Sequence, residues 1–199
     1  MQALKKQLES LKPWQLNAFS AAFSERMLPN FTLFSKLLKF GDAQKVRQIM
    51  DGVWNHLSGT GAKMNFEVQL DVVEGNMPSL DDFDLYGAMP ALDAVVALYS
   101  TLLCILEGDV DDAFSVANLS KESVATFIEV NLADPQMSDV DLMRFIANHE
   151  LMQEEDAFRE DVLERLLSTE HPTPAMIADL RRLAHNEGFS NIGISDDEE

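Results

Sequence analysis

The chain has 199 residues, of which 46% are hydrophobic, and a formal net charge of −19 at pH 7. This hydrophobic content is typical of a folded globular protein, and the length suits one domain with a sizeable core. The strong negative charge disfavours contact with nucleic-acid phosphates or anionic lipid, so we expect neither a nucleic-acid-binding nor a membrane-associated protein.

The charge is unevenly distributed along the chain. Residues 1–66 contain nine Lys and Arg against four Asp and Glu, and the remainder contains six against thirty. An acidic surface of this kind serves solubility or docks a basic protein partner. The chain has a single cysteine, Cys104, which we expect to be a small buried hydrophobe. One thiol excludes an intrachain disulfide, and the start of the chain does not look like a secretory signal, so we expect a cytoplasmic protein.

Apolar residues at helical spacing divide the first part of the chain into short amphipathic helices. Pro13 suits the first turn of a helix, and Pro29 is expected to end that helix. Asp42 and Asn65 are predicted to cap two further helices. The predicted segments are about 2–11, 14–27, 31–40, 43–57 and 66–73.

A strongly apolar segment follows and is predicted to be the centre of the fold. Between Leu85 and Leu106 the only charged residue is Asp93. A helix with no polar face must be buried on most sides, which places a central helix at about 88–107. The segment is too short and too interrupted to be a good membrane span.

Turn and capping residues, with Ser138 and Thr173 among the predicted caps, divide the rest of the chain into four more helices, at about 110–132, 138–147, 150–168 and 174–185. No stretch shows convincing strand alternation. The sequence therefore predicts an all-α, compact bundle of nine to eleven helices around the central helix, with no sheet. We expect a single domain over 1–194 and an acidic, disordered tail at 195–199.

Four aspartates before and within the central helix form the best candidate constellation: Asp81, Asp82, Asp84 and Asp93. Carboxylates near a helix start cap free N–H groups, complement the helix dipole or form turns, and such capping and turn roles are the interpretation the local pattern favours. Alternatively, three converging carboxylates would hold Mg²⁺, Mn²⁺ or Ca²⁺. The sequence assigns no other cofactor.

Motifs for nucleophilic or metal-dependent catalysis are missing. The four histidines occur in no His-Glu-x-x-His or Glu-x-x-His pattern, and there is no Gly-x-Ser-x-Gly elbow. We therefore assign no catalytic residue, and a non-enzymatic protein is the favoured interpretation.

Five stretches carry a pattern that resembles a known family. They are Pro78-Ser79 with Asp81-Asp82-Phe83-Asp84-Leu85-Tyr86-Gly87, Pro90-Ala91 and Asp93-Ala94; Ser24-Glu25-Arg26-Met27 with Pro29-Asn30; Phe40-Gly41-Asp42; Asn65-Phe66; and Gly188-x-Ser190-Asn191-Ile192-Gly193-Ile194. Together they resemble the YjaG-like family of uncharacterised bacterial proteins over nearly the whole chain. The resemblance implies an all-helical domain of unknown function without an established active site. It also implies a gene-neighbourhood association with histidine kinases, hence with signalling.

These observations leave three functional hypotheses. The leading one is a helical interaction module, monomer or homodimer, that presents its acidic face to a basic or signalling protein. The second is a metal-dependent enzyme or metal-binding protein that uses the four aspartates. The third is a small-ligand-binding protein with its pocket beside Tyr86 or the segment 189–194, which makes Tyr86 and Asn191 candidates for a functional surface.

Overall fold

The structure is a computed structural model that describes residues 2–195, and within that range it contains nine α-helices and no strand. The helices are α1 (Gln2–Leu8), α2 (Pro13–Leu38), α3 (Ala43–Ser58), α4 (Phe66–Glu74), α5 (Ala88–Glu107), α6 (Val110–Asn131), α7 (Asp139–Asn148), α8 (Glu150–Leu167) and α9 (Pro174–His185). A 3-10 turn at Asn186–Gly188 follows α9. The predicted all-α architecture is confirmed, and the central helix lies where it was expected. Of the predicted acidic tail only Ser195, which forms an isolated bridge with Phe189, belongs to the described residues; 196–199 lie outside them.

Local capping chemistry sets most of the helix boundaries. The side chains of Asp42, Asn65, Ser138 and Thr173 each accept a hydrogen bond from a backbone N–H in the first turn of the helix that follows. Gly108 ends α5 in the left-handed conformation, with φ of 73°, which glycine adopts without strain. The predicted boundaries that depended on these signals therefore agree with the structure.

The prediction that Pro29 ends a helix is wrong. Helix α2 runs unbroken through Pro29, and the two short helices expected at 14–27 and 31–40 are one helix of 26 residues. An interior proline removes a backbone hydrogen bond and usually costs about 3 kcal/mol. Burial on both sides of the proline offsets that cost, since Leu28 is 3% and Phe31 0% exposed. The end of α1 is a smaller correction, because this helix stops at Leu8 rather than at Leu11.

Helices α2 and α5 form the centre of the molecule. Helix α2 packs against α3, α5, α6, α8 and α9, and α5 packs against α2, α3, α4 and α6. Nearly every residue from 15 to 31 is buried, whereas the buried side chains of α5 alternate with partly covered ones. Helix α2, whose sequence looked like an ordinary amphipathic segment, thus shares the central position that we assigned to α5 alone.

A smaller apolar cluster fixes the end of the described chain. Ile192 is 2% exposed and packs with Val124 and Ile128 of α6 and Met152 of α8. The backbone N–H of Asn191 donates to the Arg26 carbonyl of α2 at 3.1 Å. The segment 189–195 therefore joins α2, α6 and α8.

Helix α5 is also long and apolar enough, by length and composition, to cross a membrane. Half of its most apolar stretch is buried inside the fold. The core helix of a globular protein passes the same test, so this finding is weak evidence for a membrane span.

Candidate functional site

The structure does not bring the four aspartates together. Asp81, Asp82 and Asp84 are exposed in the loop before α5. Within residues 2–195, no three His, Cys, Asp or Glu side chains are grouped so that they could hold a metal ion. Of the expected capping and turn roles, Asp81 and Asp82 lie in a turn, but none of the three caps α5, because its N-cap residue is Gly87 and no side-chain hydrogen bond is made there. These three aspartates are therefore exposed acidic groups on the surface of the loop before α5.

Asp93 lies apart from the other three, one and a half turns into α5, where it neighbours Tyr86 and α6. Burial raises the pKa of Asp93 to about 6, with a further rise from Glu122, against a lowering by Ser123. Burial also raises the pKa of Tyr86 to about 12, and the nearby Asp93 charge adds to that rise. The Tyr86 ring packs 6.0 Å from the Phe127 ring, between centroids. Tyr86 is half-buried and joins the loop before α5 to α6.

Asn191 is buried rather than part of a surface, with 2% of its area exposed. Its Nδ2 donates to the Ser120 carbonyl at 3.2 Å and lies 3.1 Å from the Ser120 hydroxyl. Its Oδ1 accepts from Nδ2 of Asn30 at 3.0 Å. The candidate surface role of Asn191 is therefore corrected to a structural one, in which its amide ties the C-terminal segment to α2 and α6.

Glu25 and Arg26 are adjacent residues of α2, and both are buried and charged, but they differ in how well they are hydrogen-bonded. Glu25 is well bonded. The Glu25 carboxylate, 1% exposed, accepts both Nη1 and Nη2 of Arg47 at 2.7 Å. It also accepts Nε1–H of Trp54 at 2.7 Å. Arg47 in turn pairs with Asp51, which also binds Arg181 of α9. Burial alone would raise the pKa of Glu25, but the bonds to Arg47 and Trp54 prevail and lower it.

The second buried charge, Arg26, is poorly bonded. Its Nε lies 3.5 Å from Oε2 of Glu155, and among the described residues neither that nitrogen nor either Glu155 oxygen has a hydrogen-bond partner. Both side chains are almost fully buried, at 7% and 2% exposure. The guanidinium lies over the Phe158 ring, 4.6 Å from its centroid. Burial raises the pKa of Glu155, and the nearby Ser120 side chain and the Arg26 charge oppose that rise.

Arg26 forms part of the wall of a cleft of about 480 Å³, which we call the Arg26 cleft. Helix α8 and the segment that follows α9 provide the other walls. The lining residues are Arg26, Glu154, Ala157, Phe158, Asp161, Leu183, Asn186, Glu187, Phe189, Ser190 and Gly193. A volume of this size is in the range of small-molecule sites.

An exposed apolar surface lies at the C-terminal end of α2. Leu37, Leu38 and Leu85 are 67%, 37% and 43% exposed and surround a small apolar pocket of about 80 Å³, with Tyr86 and Ile194 also in its lining. We call this the Leu37–Leu85 surface. Leu80 and Met89, which flank Leu85 in sequence, are 45% and 40% exposed. Exposed apolar side chains grouped in this way mark interaction sites more often than chance.

The single cysteine, Cys104, does not provide a reactive thiol. Cys104 is fully buried, its Sγ lies 3.5 Å from Oδ1 of Asn17, and burial raises its pKa to about 11. A thiol in this state is not a nucleophile at neutral pH. The prediction of a small buried hydrophobe is confirmed.

Sequence reasoning missed the Arg26–Glu155 pair. The two residues are far apart in the chain, and Arg26 was quoted only as one member of a family-like stretch. A signal was present, since an arginine within the apolar face of a helix needs a partner elsewhere. No rule of spacing identifies that partner.

An all-helical fold with buried ion pairs is shared by proteins of many functions, so the fold does not identify this one. The model of the family described as "Protein of unknown function (DUF416)" matches residues 3–195. The chain therefore belongs to the DUF416 family, and the resemblance inferred from its motifs is confirmed.

Relatives match along almost their whole length. The uncharacterized protein YjaG of Escherichia coli is 39% identical over 188 residues, covering 94% of this chain and 93% of the relative. YjaG of Salmonella typhimurium is 38% identical over 94% of each chain, and an uncharacterized protein of Haemophilus influenzae is 33% identical over 96% of each. The crystal structure of a DUF416 family protein from Shewanella baltica superposes with a TM-score of 0.87 at 35% identity, covering 96% of this chain and 97% of that one. None of these names states an activity.

Proposed function

We propose that this protein is a non-catalytic helical interaction module that binds a basic amphipathic helix of a partner protein on the Leu37–Leu85 surface. The exposure of Leu37, Leu38 and Leu85 around one apolar pocket is the observation that carries the proposal. An amphipathic helix inserts apolar side chains into such a pocket and buries the surrounding aliphatic surface.

Charge decides which kind of helix fits. Asp81, Asp82 and Asp84 border the surface on the side of the loop before α5, and the whole chain carries a net charge of −19. Lys39, exposed directly after α2, lies on the α2 side. An incoming helix with Lys or Arg along one edge is attracted to the three aspartates and repelled by Lys39, which fixes its orientation.

The test uses a fluorescent synthetic helix with Leu on one face and Lys on the other, and a scrambled peptide of identical composition. We expect the amphipathic peptide alone to bind in fluorescence anisotropy. Leu37→Ser/Leu85→Ser should weaken that binding about tenfold or more, because each buried leucine contributes roughly 1.5–3 kcal/mol. The matched control is Val68→Ser/Leu167→Ser, which removes two apolar side chains of similar exposure, 57% and 52%, elsewhere on the molecule.

Three outcomes would refute the proposal: equal binding of both peptides, equal loss in both double variants, or no binding. Dimerisation through the same surface would refute it as well. Analytical ultracentrifugation would reveal it as self-association that Leu37→Ser/Leu85→Ser abolishes. Photo-crosslinking from position 37, compared with position 167, would then identify the natural partner in cells, and the histidine kinases implied by the family resemblance are the first to compare.

A further inference from the structure

We propose a second, separate site: the Arg26 cleft binds a small zwitterion, an α-amino acid with an apolar side chain. This site shares no lining residue with the Leu37–Leu85 surface. Either proposal can therefore fail in its test without affecting the other.

The first argument is the unsatisfied guanidinium. Arg26 is only 6% exposed, and its Nε, 3.5 Å from Oε2 of Glu155, makes no hydrogen bond among the described residues. Its neighbour in sequence, Glu25, shows how this fold treats a buried charge that it satisfies, with three hydrogen bonds of 2.7 Å. A guanidinium has five donors in a planar fork that matches a carboxylate, and Arg26 lies in the wall of an open cleft. Because Nε faces Glu155, a ligand carboxylate would bind the remaining donors of the fork.

The second argument is the charge of the remaining wall. Glu154 of α8 and Glu187 of the turn after α9 also line the cleft and are exposed. A third carboxylate, Asp161, is already bonded to Arg165 at 2.6 Å. Because these groups repel a simple anion such as phosphate, a ligand for this cleft must carry a positive charge as well as a carboxylate. An α-amino acid presents both charges within a few bonds.

The third argument is the apolar part of the wall. Phe158, which stacks beneath the Arg26 guanidinium, and Phe189, which is 47% exposed, line the cleft with Leu183. The aromatic wall selects an apolar side chain such as that of leucine or phenylalanine.

The test is isothermal titration of the full chain with L-phenylalanine and L-leucine, and with two analogues that each lack one charge. Phenethylamine lacks the carboxylate and 3-phenylpropanoate lacks the ammonium. We expect both analogues to bind at least about tenfold more weakly than L-phenylalanine, since each forfeits a charge-assisted interaction. Inorganic phosphate should not bind.

The variants test each end of the ligand. Glu154→Gln/Glu187→Gln should weaken L-phenylalanine about tenfold and leave the affinity for 3-phenylpropanoate unchanged or improved. Glu160→Gln, an exposed glutamate of α8 outside the cleft, is the matched control and should have no effect. Arg26→Gln/Glu155→Gln removes both buried charges together, so the fold is not left with one uncompensated charge, and it should abolish binding.

Clear results would overturn the proposal. If 3-phenylpropanoate or phosphate binds as tightly as L-phenylalanine, the cleft is an anion site and the zwitterion assignment fails. If neither amino acid binds with a Kd below about 1 mM, the cleft holds no amino acid. If binding survives in a folded Arg26→Gln/Glu155→Gln protein, the guanidinium is not the anchor.

Discussion

Replacing Glu25 by glutamine is the perturbation whose effect the structure specifies best. The change keeps the shape of the side chain and removes its charge. In the native protein the carboxylate accepts two hydrogen bonds from Arg47 and one from Trp54, each 2.7 Å long. A glutamine amide has one acceptor oxygen, and its NH2 group cannot accept a hydrogen bond from the N–H donors of Arg47 or Trp54. At least one buried donor therefore loses its partner, and the Arg47 charge loses its counterion.

The magnitude follows from these losses. Breaking a buried ion pair on one side costs about 3–5 kcal/mol when both charges are fully enclosed. Arg47 is 32% exposed, so water takes over part of its solvation and the lower end applies. We expect Glu25→Gln to lower the free energy of unfolding by about 3 kcal/mol at pH 7.

The dependence on pH has a defined sign. Because the folded protein lowers the pKa of Glu25, the ionised form contributes stability above the unfolded value of 4.5. That contribution is lost as the pH falls below 4.5 and through the still lower folded pKa. The difference between wild type and Glu25→Gln should therefore be constant near neutrality and shrink in acid.

Urea unfolding followed by tryptophan fluorescence measures this difference, and Trp54 itself contacts Glu25. The control is Asp161→Asn, which breaks an exposed pair with Arg165 at 2.6 Å. That change should cost only about 0.5 kcal/mol. A Glu25→Gln protein within about 0.5 kcal/mol of wild type at pH 7 would refute the assignment of this network as a stabilising one.

Three further predictions concern other buried groups. Asn191→Ala should lower the free energy of unfolding by about 2–3 kcal/mol, because buried groups of Ser120 and Asn30 lose their partner. Asp93→Asn should stabilise the protein at pH 7 and have no effect below about 3.8, because folding raises the pKa of Asp93 from 3.8 to about 6 and stability is lost as the carboxyl ionises. Cys104, fully buried, should react with a water-soluble disulfide reagent only at the rate of unfolding.

Each of these has a direct readout. Urea unfolding tests Asn191→Ala, and an unchanged midpoint would mean that the amide network is not maintained in solution. NMR titration of Asp93 should give a midpoint near 6, and a midpoint near 4 would show that this carboxyl is solvated. Fast, stoichiometric labelling of Cys104 in buffer would contradict its burial.

The local features of this chain were readable from the sequence because the interactions that cause them act within a few residues. Asp42, Asn65, Ser138 and Thr173 cap the helices they were expected to cap, since a cap needs only its own first turn. The central helix was found because thirteen residues without charge, Ala94 to Leu106, leave no face suited to water.

Pro29 and the aspartates before α5 show where local rules fail. Proline ends a helix when nothing compensates the lost hydrogen bond, but buried neighbours keep α2 continuous. Asp81, Asp82 and Asp84 have capping chemistry, yet the helix starts at Ala88, four residues after Asp84, and its N-cap residue is Gly87. In both cases packing between distant segments outweighs a preference of about 1–3 kcal/mol.

The sequence by itself determined the helical class, most helix boundaries, the buried α5 and the family. Only the tertiary structure decided that Glu25 is fully bonded while Arg26, the next residue, is not. Successive residues of a helix point about 100° apart, so these two face different neighbours, Arg47 of α3 and Glu155 of α8. Which neighbours those are depends on how the helices cross, and helix crossing depends on the whole core rather than on any one segment.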